Sequence, residues 1–147
     1  MRILVDTNVL LRGMQRGHPK CLQARNALKL LHRQRIELCV TPQNVKEFWN
    51  VCTRPLESKD GFGLSISVTE RRTRVLEKYF TVLPDSELTY RAWRELVPLH
   101  AVSGVKVHDA YLVAAMKVHA VDKILTFNMG DFTRYKDIEA LHPETVK

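Results

Sequence analysis

No run of apolar residues in this chain is long enough to cross a bilayer. The longest, Ala110 to Met116, falls far short of the roughly 18 residues that a spanning helix needs. Only Ile3, Leu4 and Val5 precede the acidic Asp6, so the N-terminus does not read as a secretion signal, and the expected location is cytoplasmic. Cysteine is scarce: Cys21, Cys39 and Cys52 are odd in number and far apart. That excludes a disulfide framework and the close paired spacing of a zinc site, and reads as buried thiols in a reducing compartment. The few glycines form neither common phosphate loop, and His-Glu-x-x-His is absent. So is the Gly-x-Ser-x-Gly elbow. There is no internal repeat and no low-complexity tract.

What the chain does have is positive charge and an ordinary apolar content. Its 147 residues carry 23 Lys and Arg against 16 Asp and Glu, a net +7, with a pI near 9.5. This favours an anionic partner such as nucleic acid or an acidic protein segment. The length suits one domain spanning residues 1–147, and buries about 68–70% of the unfolded surface without cross-links.

Short β-branched runs alternate with helical spacing. Ile3 to Val5, Ile36 to Val40, Val82-Leu83, Lys123 to Phe127 and Ile138 to Leu141 read as strands. Between them lie helices from Val9 to Met14, Pro19 to about Arg35, Gln43 to Thr53, a segment ending near Phe80, one ending near His100, and Val107 to about Ala120. Leu22, Ala24, Ala27, Leu28, Leu30 and Leu31 form the second helix's apolar stripe, with Arg25, Lys29, Arg33 and Arg35 as a basic face. Ser67 with Glu70 has the spacing of a capping box. Leu56 to Leu64, with Gly61 and Gly63, reads as a mobile loop. The alternation predicts an α/β fold with a parallel sheet and helices on both faces.

Acids recur where such a sheet binds ligands, at the carboxyl ends of strands. Asp6 ends the first strand, although a carboxylate there also suits a helix cap. Asp109 shares a helix face with Leu112, Val113, Met116 and Ala120, or serves the helix's first turn. Asp131 closely follows the strand ending in Thr126-Phe127, across the turn-forming Asn128 and Gly130. Glu47 lies beside the apolar stripe Val45, Phe48, Trp49 and Cys52. Four carboxylates meeting in one pocket raise one another's pKa values. An all-oxygen set selects a hard divalent ion, magnesium or manganese, over zinc. His108 adjoins Asp109 and is either a general base or a packing residue.

Together, Asp6-Thr7-Asn8, Glu47-Phe48-Trp49-Asn50-Val51, His108-Asp109-Ala110 and Leu125-Thr126-Phe127-Asn128-Met129-Gly130-Asp131-Phe132 resemble the PIN domain. Arg54-Pro55-Leu56 with Gly61-Phe62-Gly63-Leu64 is similar to a recurrent loop of that family. The resemblance covers essentially the whole chain. It implies a three-layer α/β/α sandwich with a Rossmann-like parallel sheet, and a Mg2+- or Mn2+-dependent ribonuclease. By the same resemblance Asp6, Glu47, Asp109 and Asp131 form the acidic quartet, supported by the polar Asn8, Thr126 and Asn128. Many members carry Asp where Asn128 stands, which leaves open whether Asp131 alone supplies the fourth carboxylate. Small members are commonly VapC-type toxins, homodimeric and silenced by an antitoxin. Other readings are a PIN-fold module that binds RNA or protein without cutting it, and a non-toxin RNA-processing nuclease. A haloacid dehalogenase-type phosphatase needs a second Asp where Asn8 stands.

Overall fold

The computed structural model describes every residue from Met1 to Lys147. Its elements run β1 (Arg2–Val5), α1 (Thr7–Met14), α2 (Cys21–Arg33), β2 (Glu37–Val40), α3 (Pro42–Thr53), α4 (Ile66–Tyr79), β3 (Thr81–Val82), α5 (Glu87–Leu99), α6 (Lys106–Val118), β4 (Lys123–Leu125) and β5 (Glu139–Leu141). Two single 3-10 turns, Met129–Phe132 and Pro143–Thr145, flank β5. The strands form one sheet in the order β3-β2-β1-β4-β5, and every pairing is parallel. Leu4 sits opposite Cys39 on one side and Ile124 on the other.

Alternation along the strands builds the layers, because successive side chains leave opposite faces of a sheet. Ile3, Val5, Leu38, Val40 and Leu125 join a cluster with Val9 and Leu10 of α1, Ala24, Ala27 and Leu31 of α2, Phe48 of α3 and Leu76 of α4. Leu4, Cys39 and Ile124 join the other cluster, with Leu96 of α5 and Ala110, Leu112, Val113 and Met116 of α6. This is the expected three-layer α/β/α sandwich. All three cysteines are buried and unpaired. No helix is long and apolar enough to cross a membrane.

Several local features depart from the sequence expectation. The cap of α4 is Ser65, whose hydroxyl accepts from the Val68 N–H at 3.2 Å. Ser67 is already helical, and Glu70 pairs with Arg74. The second helix begins at Cys21, after a turn through Pro19 and Lys20, and leaves Leu22 exposed. It ends at Arg33 because Arg35 takes a left-handed φ of 58° and the Ile36 N–H closes on the Leu31 carbonyl, the pattern that usually recruits glycine. Ala101 ends α5 and Ala120 ends α6 in the same way, with φ of 48° and 54°. Ala120 therefore falls outside α6 and is exposed. Lys123 to Leu125 is the whole of β4: the Thr126 N–H still donates to the Leu141 carbonyl at 2.9 Å, and Phe127 begins the loop before the 3-10 turn.

The Leu56–Leu64 loop, expected to be mobile, is tied to the end of α3. Phe62 and Leu64 donate their N–H groups to Val51 and Cys52, and Gly63 donates to Arg54 at 2.8 Å. Phe62 and Leu64 pack on the α1–α4 side of the core. Gly61 permits this fold-back, for a Cβ there would lie 2.2 Å from the Pro55 carbonyl oxygen and 2.7 Å from that of Arg54. Gly61→Ala is therefore expected to cost about 1–3 kcal/mol in chemical denaturation. Gly130→Ala, whose Cβ would meet nothing within 4 Å, is the near-neutral control.

Candidate active site

The strand order reverses at β1, with β2 and β3 laid to one side and β4 and β5 to the other. Such a reversal opens a crevice at the carboxyl ends of the two strands that part there. Asp6 is the first residue beyond β1 and Thr126 the first beyond β4. The Asp6 N–H donates to the Leu125 carbonyl at 3.0 Å. The pairing of β1 and β4 thus sets these two residues side by side.

Asp6 occupies the N-cap position of α1, yet its carboxylate makes no capping bond. Its Oδ2 instead accepts from the Asn8 amide at 3.0 Å and the Thr126 hydroxyl at 2.7 Å. Asn8 is held in turn, its Oδ1 accepting from the Phe127 N–H at 3.2 Å. Burial pushes the Asp6 pKa up to about 6, and the charges of Glu47 and Asp109 push the same way against the Thr126 hydrogen bond.

Glu47 reaches the same crevice from α3. One of its oxygens accepts from the Thr7 hydroxyl at 2.7 Å and the other from the Gln43 amide at 2.9 Å. Behind Thr7 stands the fully buried Asn44, whose amide donates to the Thr7 oxygen at 3.0 Å. The Asn44 carbonyl oxygen accepts from both the N–H and the hydroxyl of Thr41, which caps α3. The capping box that starts the helix therefore also orients the Glu47 carboxylate. Gln43 extends the network to α6 by donating to the His108 carbonyl at 3.0 Å.

Asp109 lies in the first turn of α6 but caps nothing, since no side chain caps that helix. Burial holds its carboxyl above the usual range, followed by the charges of Asp131 and Glu47, while Lys106 and His108 pull it down. Asp131 stands on the 3-10 turn after β4 and accepts a hydrogen bond from the Lys106 ammonium. That ammonium also lies 3.8 Å from Asp109.

The four acids named from the sequence thus face one another electrostatically. Asp6 feels Glu47 and Asp109, and Asp109 feels Glu47 and Asp131. Asn8 and Thr126 support Asp6 through their side chains. Asn128 contributes only its backbone N–H, donated to Thr126 at 3.0 Å, and its side chain is exposed. His108 is exposed, and its role here is played by its carbonyl. Sequence reasoning passed over Gln43, Asn44 and Lys106 and gave Thr7 no role beyond a possible cap. Two of these carried a signal: Gln43 precedes Glu47 by four residues and Lys106 precedes Asp109 by three, the spacings that bring helical side chains together.

The donor set is all oxygen. Two of its carboxyls are held above their ordinary range, and the Asp6 Oδ1 receives no side-chain donor. That chemistry fits a hard divalent cation. As the side chains stand, no three His, Cys, Asp or Glu groups are placed to hold an ion together. A surface hollow of about 670 Å³ opens at the other end of the sheet, between Met1, Asp122 and Ile138, and includes none of the four acids.

The family model described as the PIN domain matches residues 3–138. No curated protein matches the sequence significantly. Among solved structures, the chain is similar to a chain of VapBC2 from Rickettsia felis bound to a promoter DNA fragment, at 14% identity and TM-score 0.70, covering 97% of this chain and 98% of that one. It is similar to a chain of FitAcB from Neisseria gonorrhoeae, at 20% identity and TM-score 0.72, over 97% and 98%. It is also similar to VapC20 of Mycobacterium tuberculosis, a toxin that cleaves the sarcin-ricin loop, at 17% identity and TM-score 0.59, over 83% and 86%. At these identities the structures speak for the fold, and the family model speaks for the family: the chain belongs to the PIN domain family.

Proposed function

We propose that this protein is a divalent-metal-dependent endoribonuclease, the toxin of a VapBC-type toxin–antitoxin pair. What supports the reading is Asp6 at the crevice where β1 and β4 part, buried and charged against Glu47 and Asp109, with Asp109 charged in turn against Asp131, in a chain of this family. Bound Mg2+ or Mn2+ supplies a Lewis acid that activates water and neutralises charge on the phosphodiester. Asp6 and Asp109 would be its chief ligands. Asp6 is aimed by two neutral donors, Asn8 and Thr126, which fix its direction without cancelling its charge. Glu47, aimed by Thr7 and Gln43, and Asp131 would complete the set of ligands or orient a water molecule. Cleavage leaves a 5′-phosphate and a 3′-hydroxyl.

RNA as substrate is supported by the +7 net charge and by exposed Arg25, Lys29, Arg33 and Arg35 on and just beyond α2, which favour a polyanion. An antitoxin partner is supported by the company the fold keeps, since the similar chains include members of VapBC and FitAB complexes; a homodimer is part of the same family reading. A cytoplasmic location follows from the same reading.

Asp6→Asn is expected to lower cleavage of a single-stranded RNA at least about a hundredfold, a loss typical of removing an electrostatic group used in the transition state. The loss will not come from unfolding. The folded pKa of Asp6, near 6, lies above its unfolded value, so the folded metal-free protein loses stability as pH rises between about 4 and 6. The amide keeps an acceptor for Asn8 and Thr126 without that charge. Metal-free Asp6→Asn should therefore be more stable than the parent in chemical denaturation at pH 7.5, by up to about 2–3 kcal/mol, with little difference at pH 4. Full activity in the variant would refute the assignment. For the parent, a hundredfold excess of Mg2+ or Mn2+ over its Kd is expected to raise Tm by about 5–10 °C. An unmoved Tm would leave the alternative of a binding module.

A further inference from the structure

Three of the four acids are oriented by neutral groups or by none. Asp6 has an amide and a hydroxyl, Glu47 a hydroxyl and an amide, and Asp109 no side-chain hydrogen bond. Only Asp131 is bonded by a cation. Lys106 donates to its Oδ1, and the same ammonium lies 3.8 Å from Asp109. We propose that Lys106 is the internal counter-ion of the acidic site, holding Asp131 until a divalent cation displaces it, so that this one side chain sets the site's metal affinity. The inference rests on the metal-site reading above and concerns a residue which that reading does not use.

Geometry places the competition. Lys106 opens α6 and Asp109 follows three residues later, so the helix fixes both on one face. Asp131 comes from a different element, the 3-10 turn after β4, and Lys106 bridges the two. An ion drawing on Asp109 and Asp131 would share their oxygens with an ammonium of like charge, and at such range two cations repel strongly. The lysine is free to leave. Its side chain is 41% exposed, and a four-carbon stem lets the head swing into water without stranding a buried charge.

The experiment is calorimetric titration of the metal-free full-length protein with Mn2+, with no activity measurement involved. Lys106→Met should bind Mn2+ about tenfold tighter than the parent or better, and Lys106→Gln, a second variant should Met impair folding, should do likewise. Lys106→Arg should stay near the parent. Lys123→Met, which removes an ammonium paired with Glu139 away from the site, should also change little. In an Asp131→Asn background the gain from Lys106→Met should shrink well below that in the parent, because only the longer contact with Asp109 is left to contest. Unchanged or weaker binding in Lys106→Met would overturn the proposal, as would a gain of equal size in the Asp131→Asn background, which would mark a diffuse charge effect. If neither the parent nor Lys106→Met binds Mn2+, the metal-site reading falls and takes this inference with it. If the parent binds and the variant gains nothing, only this inference falls.

Discussion

Parallel pairing of β1 with β4 is the constraint on which the site depends. The strands are separated by most of the chain, yet the hydrogen bond from the Asp6 N–H to the Leu125 carbonyl puts Asp6 and Thr126 at one sheet edge. Loop-closure entropy opposes such a long-range contact, and two apolar clusters, one on each face, offset it. Ile3 and Val5 anchor β1 to the α1–α4 layer, and Leu4 anchors it to the α5–α6 layer. A one-residue slip of β1 would exchange these faces and carry Asp6 away from Thr126. The register that fills the core is thus the one that builds the site.

The electrostatics follow from the kind of donor used. A charged partner on Asp6 or Glu47 would lower the energy of the folded protein but spend the negative charge that makes the site useful. Hydroxyls and amides satisfy the lone pairs and leave the charge. The cost appears as raised pKa values at Asp6 and Asp109, where burial is the leading cause and the neighbouring acids add to it. Asp131, on a short 3-10 turn, is the exception with a cationic partner.

Much of this was legible in the sequence, and the reason differs between elements. Strand–helix alternation revealed the three layers because β1, β2 and β4 are apolar on both faces, as a covered parallel sheet requires. Asp6, Glu47, Asp109 and Asp131 could be proposed as a set through their position after strands or beside apolar stripes, together with the family pattern. What could not be read was the wiring. Asn44 looks like any polar residue near a helix start, and its link through Thr7 to Glu47 exists only once α1 and α3 are packed. The ends of α2, α5 and α6 were read one or two residues too long because Arg35, Ala101 and Ala120 take the left-handed conformation without glycine. The α4 cap was assigned to Ser67 because Ser65 and Ser67 offer the same chemistry two residues apart, and only helix geometry selects between them.

The way α3 is fastened shows how the fold bears the strain of a buried acid. At its start, Thr41 and Asn44 close a capping box that also orients Thr7 and, through it, Glu47. At its end, the loop through Gly61 and Gly63 returns three N–H groups to the last carbonyls of the helix. Each end of the helix is therefore tied by hydrogen bonds to neighbouring segments of the protein. A helix secured in this way resists the small outward shift that repulsion between Glu47 and Asp6 would otherwise drive. The loop at Gly61 bonds to none of the four acids, yet by seating α3 it helps fix the helix that carries Glu47 and Asn44, and so belongs to the same mechanical unit as the site.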